Sequence, residues 1–210
     1  MSTVLEKVVA GEVPPFVPLT ADQYVQMADA GILPATPRVE LIDGLLILKD
    51  RRDAGGDIMT VGNLHVLVGL KLNGLLAEKL RDTGFHARHQ APVFLPPLNV
   101  PEPDVSVAIG TIDDYASRFP DADDLALVVE VAYSSIRTDR ETKLHKYAAA
   151  GIGLYWIVNL EESIVEVYGE PVRSESRYAV EERVDRSGQL RLPLAEMNII
   201  EIAVAEFLPE

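Results

Sequence analysis

One eight-residue run constrains the chain more than any other. Residues 125–132, Leu-Ala-Leu-Val-Val-Glu-Val-Ala, are apolar at every position but one. A nearly continuous apolar run of this length reads as a central strand buried on both faces. Such a strand needs neighbours on both sides and cover on both faces. The exception is Glu130. A carboxylate inside an apolar strand is costly to bury unless it is paired or binds a cation.

The surrounding pattern supplies the neighbours. Thr20-Ala-Asp-Gln23 reads as a capping box opening a short helix, with Gly31 just past its end. Residues 38–48 read as two short strands around Asp43-Gly44, a strong hairpin signal. Ile58, Val61, Leu64, Val68, Leu72, Leu75 and Leu76 make a helical stripe over 58–81. Phe85, Ala87, His89, Ala91, Val93 and Leu95 alternate as in a strand, and 103–109 read as another. Thr138-Asp-Arg-Glu141 is a second capping box, and Gly151 stands where a glycine C-cap belongs, so a helix is expected over 139–150. Residues 154–159 and 164–169 form a hairpin across 160–163, with further strands near 176–183 and 198–204. The order predicts an α/β or α+β domain, a mixed sheet with helices packed on it.

The chain has 210 residues, 48% of them hydrophobic, which suits one domain with a sizeable core. Its short proline clusters read as turns, so residues 1–210 are expected to form a single domain, with a core at about 20–170 and C-terminal strands at about 171–208. It has no cysteine, which removes thiolate chemistry and fits a reducing compartment. No secretory signal or apolar run of membrane-spanning length is evident, so a cytoplasmic location is expected. A net charge of −14 argues against a broad, non-specific nucleic-acid binder. It leaves room for an enzyme that meets a polyanion through bound metal cations.

The acids carry the functional reading. Asp104, in Pro-Glu-Pro-Asp, lies at the entrance of the strand expected beside that of Glu130. Acids on adjacent strands, about 4.8 Å apart, can share a divalent metal, and hard oxygen ligands suit magnesium or manganese. Each acid also has a plain reading: a strand-entry Asp as a turn residue, an in-strand Glu as a salt-bridge partner. Lys143 flanks the apolar stripe of its helix and reads either as a snorkelling surface lysine or as an ammonium brought to the mouth of a site. Arg140, in the first turn of the same helix, either meets a carboxylate or touches phosphate. His65 lies on the apolar face of its helix, where a core histidine bonded to a backbone group is the plainer reading. Glu40 either faces solvent or is a third acid in the cleft. There is no P-loop, no dinucleotide fingerprint, no Gly-x-Ser-x-Gly elbow and no zinc-helix histidine spacing.

A longer string ties these residues together. Glu130-Val131, Ser135, Asp139-Arg140-x-x-Lys143, Tyr147, Gly151 and Tyr155-Trp156-Ile157-Val158 follow Glu40-Leu41-Ile42-Asp43-Gly44, His65, Gln90 and Pro103-Asp104-Val105. Over roughly residues 20–170 this resembles the Uma-type family of restriction endonucleases, within the PD-(D/E)XK nuclease superfamily. The resemblance implies a restriction-endonuclease-like core and a metal-dependent nuclease site. It matches Asp104 to the PD acid and Glu130 to the (D/E) acid. The usual lysine position is Ala132 here, and the resemblance moves that role to Lys143 on the next helix. Glu40 becomes the accessory acid, and His65 and Gln90 are site neighbours. Tyr133-Ser134-Ser135-Ile136, Ile152-Gly153-Leu154 and Asn159 depart from the family pattern around the site.

The function implied is a Mg²⁺- or Mn²⁺-dependent DNA endonuclease. Asp104, Glu130 and the Val131 carbonyl would be the metal ligands, and Glu40 and Lys143 would complete the catalytic set. A homodimer is expected, so that both strands are cut. Two rivals stand beside it: a restriction-like binding module without catalysis, and a structural domain whose acids pair with Arg140 and Lys143. Arg51-Arg52, Arg81, Arg88 and Arg137–Arg140 are the candidates for a basic path to DNA.

Overall fold

The computed structural model describes residues 15–34, 38–49, 58–195 and 198–209. Arg51 and Arg52 lie outside these, as do the side chains of Ile58 and Val61. Six strands form the main sheet: β3 (Phe85–His89), β4 (Val105–Ile109), β5 (Leu125–Ala132), β6 (Leu154–Asn159), β7 (Ile164–Val172) and β8 (Arg177–Asp185). They pair in sequence order, antiparallel throughout except β5 beside β6. That parallel pair needs a crossover, which the 136–150 helical segment provides. Two separate hairpins complete the strands: β1 (Val39–Ile42) with β2 (Leu45–Leu48), and β9 (Gln189–Ala195) with β10 (Asn198–Ala203). This is the mixed α/β architecture expected.

β5 is central, and its alternate residues serve two cores. Leu127, Val129 and Val131 pack with Val68, Leu72 and Leu76 of helix α2 (Ile58–Lys79), and with Leu190, Leu192 and Ile202 of the β9–β10 hairpin. Val128 and Ala132 face the other way, toward Tyr147, Ala148, Ile157 and a cluster of tyrosines. Glu130 shares that second face. Helix α1 (Ala21–Asp29) begins with a complete capping box at Thr20 and packs against Leu41 of the β1–β2 hairpin. Asp43 and Gly44 both adopt positive φ, 51° and 74°, as a two-residue hairpin turn of the favoured hand demands.

Three expectations are corrected. The strand expected over 85–95 stops at His89, because Gln90 takes a positive φ of 46° and turns its amide to the Asp104 carbonyl. β9 was not expected; Leu190, Leu192 and Leu194 point inward in alternation, and Pro193 takes an outward position in this two-stranded hairpin. The helix before β6 does not start at a Thr138 cap. It starts at Ile136, and Thr138 makes no capping bond. One α turn (Ile136–Thr138), a π-helical turn (Asp139–Lys143) and an α-helix (Leu144–Ala150) run on as one segment, here α3. Gly151 closes it at φ 87°.

Candidate active site

β4 and β5 diverge at the end where β5 finishes. Val105 is the last β4 residue paired there, with Val129. Asp104 and Glu130 are next on the two chains, so the register places them side by side. Asp104 fills the gap in the ladder: its Oδ2 accepts a hydrogen bond from the Val131 amide at 2.8 Å. The same oxygen lies 2.9 Å from His65 Nε2. His65 is buried as expected on α2, but its partner is this carboxylate rather than a backbone group.

Glu130 is fully buried. Its Oε1 accepts from Lys143 Nζ at 2.9 Å and from the Tyr147 hydroxyl at 2.8 Å. Its Oε2 is buried with no hydrogen-bond partner among the described residues. Lys143 also lies 3.4 Å from Glu40 Oε2, and that oxygen accepts from the Glu102 amide at 3.1 Å. Glu40 is therefore inside the cluster, not solvent-facing. The Asp43–Lys146 ion pair, at 2.6 Å, joins the turn of this hairpin to α3.

Lys143 is not a snorkelling surface lysine. Its side chain is only 6% exposed. Lys143 ends the π turn and stands four residues before the buried Tyr147, so the two side chains share a face and meet on Glu130.

The charges follow from this geometry. Burial pushes the Glu130 carboxyl up, to about 8, against the pull of Lys143, while Asp139 and Asp104 push it further. Burial also works against the Lys143 charge, but Glu130, Glu40 and Asp139 outweigh it and raise its pKa. The two shifts oppose each other, since a neutral Glu130 removes part of what holds Lys143 charged. The ammonium is the firmer of the two. Two carboxylates face it, whereas nothing among the described residues supports charge on Glu130 Oε2.

Arg140 points elsewhere. Its guanidinium grips both oxygens of Glu166, which is the carboxylate pairing and not a free phosphate contact. Gln90 stands at the edge of the site, its side-chain oxygen 3.2 Å from Arg38. Sequence reasoning missed Glu102, a buried acid bound by Lys49 at 3.0 Å and Arg38 at 2.6 Å. Its signal was its seat between Pro101 and Pro103, directly before Asp104. Reasoning from the sequence placed Tyr147 in the string that carries the family resemblance but gave it no role at the site. Of the expected basic path, Arg88 packs over Tyr115 and Arg137 pairs with Glu141.

Among the described residues no three Asp, Glu or His side chains converge to hold a metal by themselves. A magnesium ion does not require that. It commonly takes one or two carboxylates and fills its shell with water and phosphate. The partnerless Glu130 Oε2 is the feature that fits a cation here.

The profile of the Uma2 family, described as "Putative restriction endonuclease", matches residues 21–205. The chain belongs to this family. Its fold is similar to the crystal structure of "a putative nuclease belonging to DUF820" from Anabaena variabilis, at a TM-score of 0.63 and 17% identity, over 91% of this chain and 98% of that one. None of the curated proteins matches. No helix among the described residues is long and apolar enough to cross a membrane.

Proposed function

We propose that this Uma2 protein is a metal-dependent DNA endonuclease that hydrolyses phosphodiester bonds at the Asp104–Glu130 end of the sheet. One observation carries the reading. Glu130 is a fully buried carboxylate with one oxygen bound by Lys143 and Tyr147 and the other without a partner among the described residues. A purely structural acid would have both oxygens satisfied.

Asp104, Glu130 and the Val131 carbonyl would hold Mg²⁺ or Mn²⁺. When bound, the ion lowers the pKa of a coordinated water and neutralises charge on the phosphate. The chain's own residues do the rest. His65 and the Val131 amide fix the Asp104 carboxylate. Lys143, held between Glu130 and Glu40, offers an ammonium to an attacking water or a developing negative charge. Glu40 ties the β1–β2 hairpin to the site through Lys143 and the Glu102 amide. Cutting both strands asks for two copies, so the assembly is a homodimer, acting on DNA in the cytoplasm.

The test is cleavage of supercoiled plasmid with Mg²⁺ or Mn²⁺ by the wild type, Asp104→Ala and Glu130→Ala, with circular dichroism to check folding. Nicked or linear DNA from the wild type alone is the expected result. A folded wild type that cuts with neither ion overturns the proposal. That result would favour a binding module without catalysis, a reading supported by the buried alanine at 132 in the usual lysine position.

A further inference from the structure

Tyr147 is a buried polar group in contact with Glu130 that the proposed chemistry leaves unused. It sits four residues after Lys143, one turn further along α3. Its ring is wholly buried against Tyr155, with centroids 4.9 Å apart. Packing therefore fixes where its hydroxyl points. That hydroxyl and the Lys143 ammonium both end on Glu130 Oε1, at 2.8 and 2.9 Å. Two donors on one oxygen leave the carboxylate a single orientation. The oxygen left over is Oε2.

We propose that Tyr147 is a positioning residue: together with Lys143 it holds Glu130 Oε1, so that Oε2 alone is presented to the divalent cation. The inference rests on the metal-dependent reading above and adds the coordination mode. Glu130 is then a monodentate ligand. Tyr147 acts through Glu130 and touches neither cation nor DNA.

Its removal should loosen metal binding while leaving the fold. Outer partners of metal ligands are worth about 10- to 100-fold in affinity or activity. Tyr155 supplies the control. It is an equally buried phenol in the same cluster, but its hydroxyl bonds the Asp139 carbonyl at 3.3 Å.

The experiment is a Mn²⁺ titration followed by the electron paramagnetic resonance signal of free Mn²⁺, on the wild type, Glu130→Gln, Tyr147→Phe and Tyr155→Phe, each checked by thermal melting. The expected result is binding in the wild type, none in Glu130→Gln, a roughly tenfold weaker Kd in Tyr147→Phe and an unchanged Kd in Tyr155→Phe. Plasmid cleavage by Tyr147→Phe should lose kcat at unchanged KM. Wild-type binding with an unchanged Tyr147→Phe overturns the positioning role and spares the metal reading. No binding in the wild type overturns both. Should Tyr147→Phe not fold, infrared difference spectra of ¹³C-glutamate wild type with and without Mn²⁺ at about pH 9, where Glu130 is ionised, decide. A widened gap between the carboxylate stretches marks one-oxygen coordination and supports the role, whereas a narrowed gap marks two-oxygen coordination and overturns it.

Discussion

Glu130 and Glu166 stand in one row of the sheet, joined through Ile157, and both are fully buried. Both meet a cation from α3 and a tyrosine hydroxyl. The resemblance ends at their oxygens. Glu166 has both satisfied: Arg140 reaches each, Tyr168 donates to Oε2 at 2.8 Å, and Asn159 to Oε1 at 3.3 Å. Burial works to raise its pKa, but these bonds outweigh burial and hold it below the ordinary carboxylate value. Glu130 puts both donors on one oxygen, and burial lifts it to about 8. One site is closed and contributes to stability. The other leaves Oε2 without a partner among the described residues, which is where the proposed metal ion would bind. Arginine suits the closed site because its fork covers two oxygens, whereas lysine offers a single point charge.

The largest expected effect separates the two acids by function. Glu130→Gln should lower plasmid cleavage by about a hundredfold or more, since it removes a proposed metal ligand. Glu166→Gln should leave cleavage per folded molecule unchanged. Next come the cations. Arg140→Met strands a buried carboxylate and should cost about 2–3 kcal/mol, the usual loss for a broken buried pair reduced because Arg140 is one-third exposed. Calorimetric melting would then show a fall of roughly 8 °C. Lys143→Met should move the melting point less, because Glu130 can take up a proton, but should remove cleavage.

pH sharpens the contrast. The raised Glu130 pKa means that the folded state binds a proton that the unfolded chain has lost. Its contribution to stability is full below about 4.5 and is lost as pH rises through about 8. The proposed metal binding should run the other way, since the proton must leave. Mn²⁺ affinity should rise by about tenfold per pH unit between about 6 and 8, then level off. Glu166 has the opposite sign: its stabilisation is present above the ordinary carboxylate pKa and is lost in acid. Acid unfolding of Glu166→Gln should therefore be shallower than that of the wild type. The smallest effect is Tyr168→Phe, which leaves Glu166 with Arg140 and Asn159. It should cost about 1 kcal/mol of stability and leave Mn²⁺ affinity unaltered.

The central strand and the β1–β2 and β6–β7 hairpins were legible because their signals are local, whereas β9 was not. LALVVEVA fills β5 residue for residue, and Asp43-Gly44 makes its turn. The oddity of Glu130 was also legible, because an acid in an apolar run stands out without any tertiary knowledge. Its partners were harder to read. Lys143 flanks an apolar stripe, and that pattern alone does not distinguish a lysine reaching a buried acid from one reaching solvent. Tyr147 has the same pattern as any core aromatic, and only the structure reveals where its hydroxyl ends. Arg140 could not be assigned between phosphate and carboxylate because Glu166 is 26 residues away. Glu102 was masked by its neighbour Asp104, and its charge matters only once Arg38 and Lys49 arrive from the β1–β2 hairpin.

The most direct test of the account is the heat of Mn²⁺ binding to three proteins: the wild type, Glu130→Gln and Glu166→Gln. The account predicts binding by the wild type and by Glu166→Gln, and none by Glu130→Gln. Equal binding by all three, or no binding by the wild type, would contradict it.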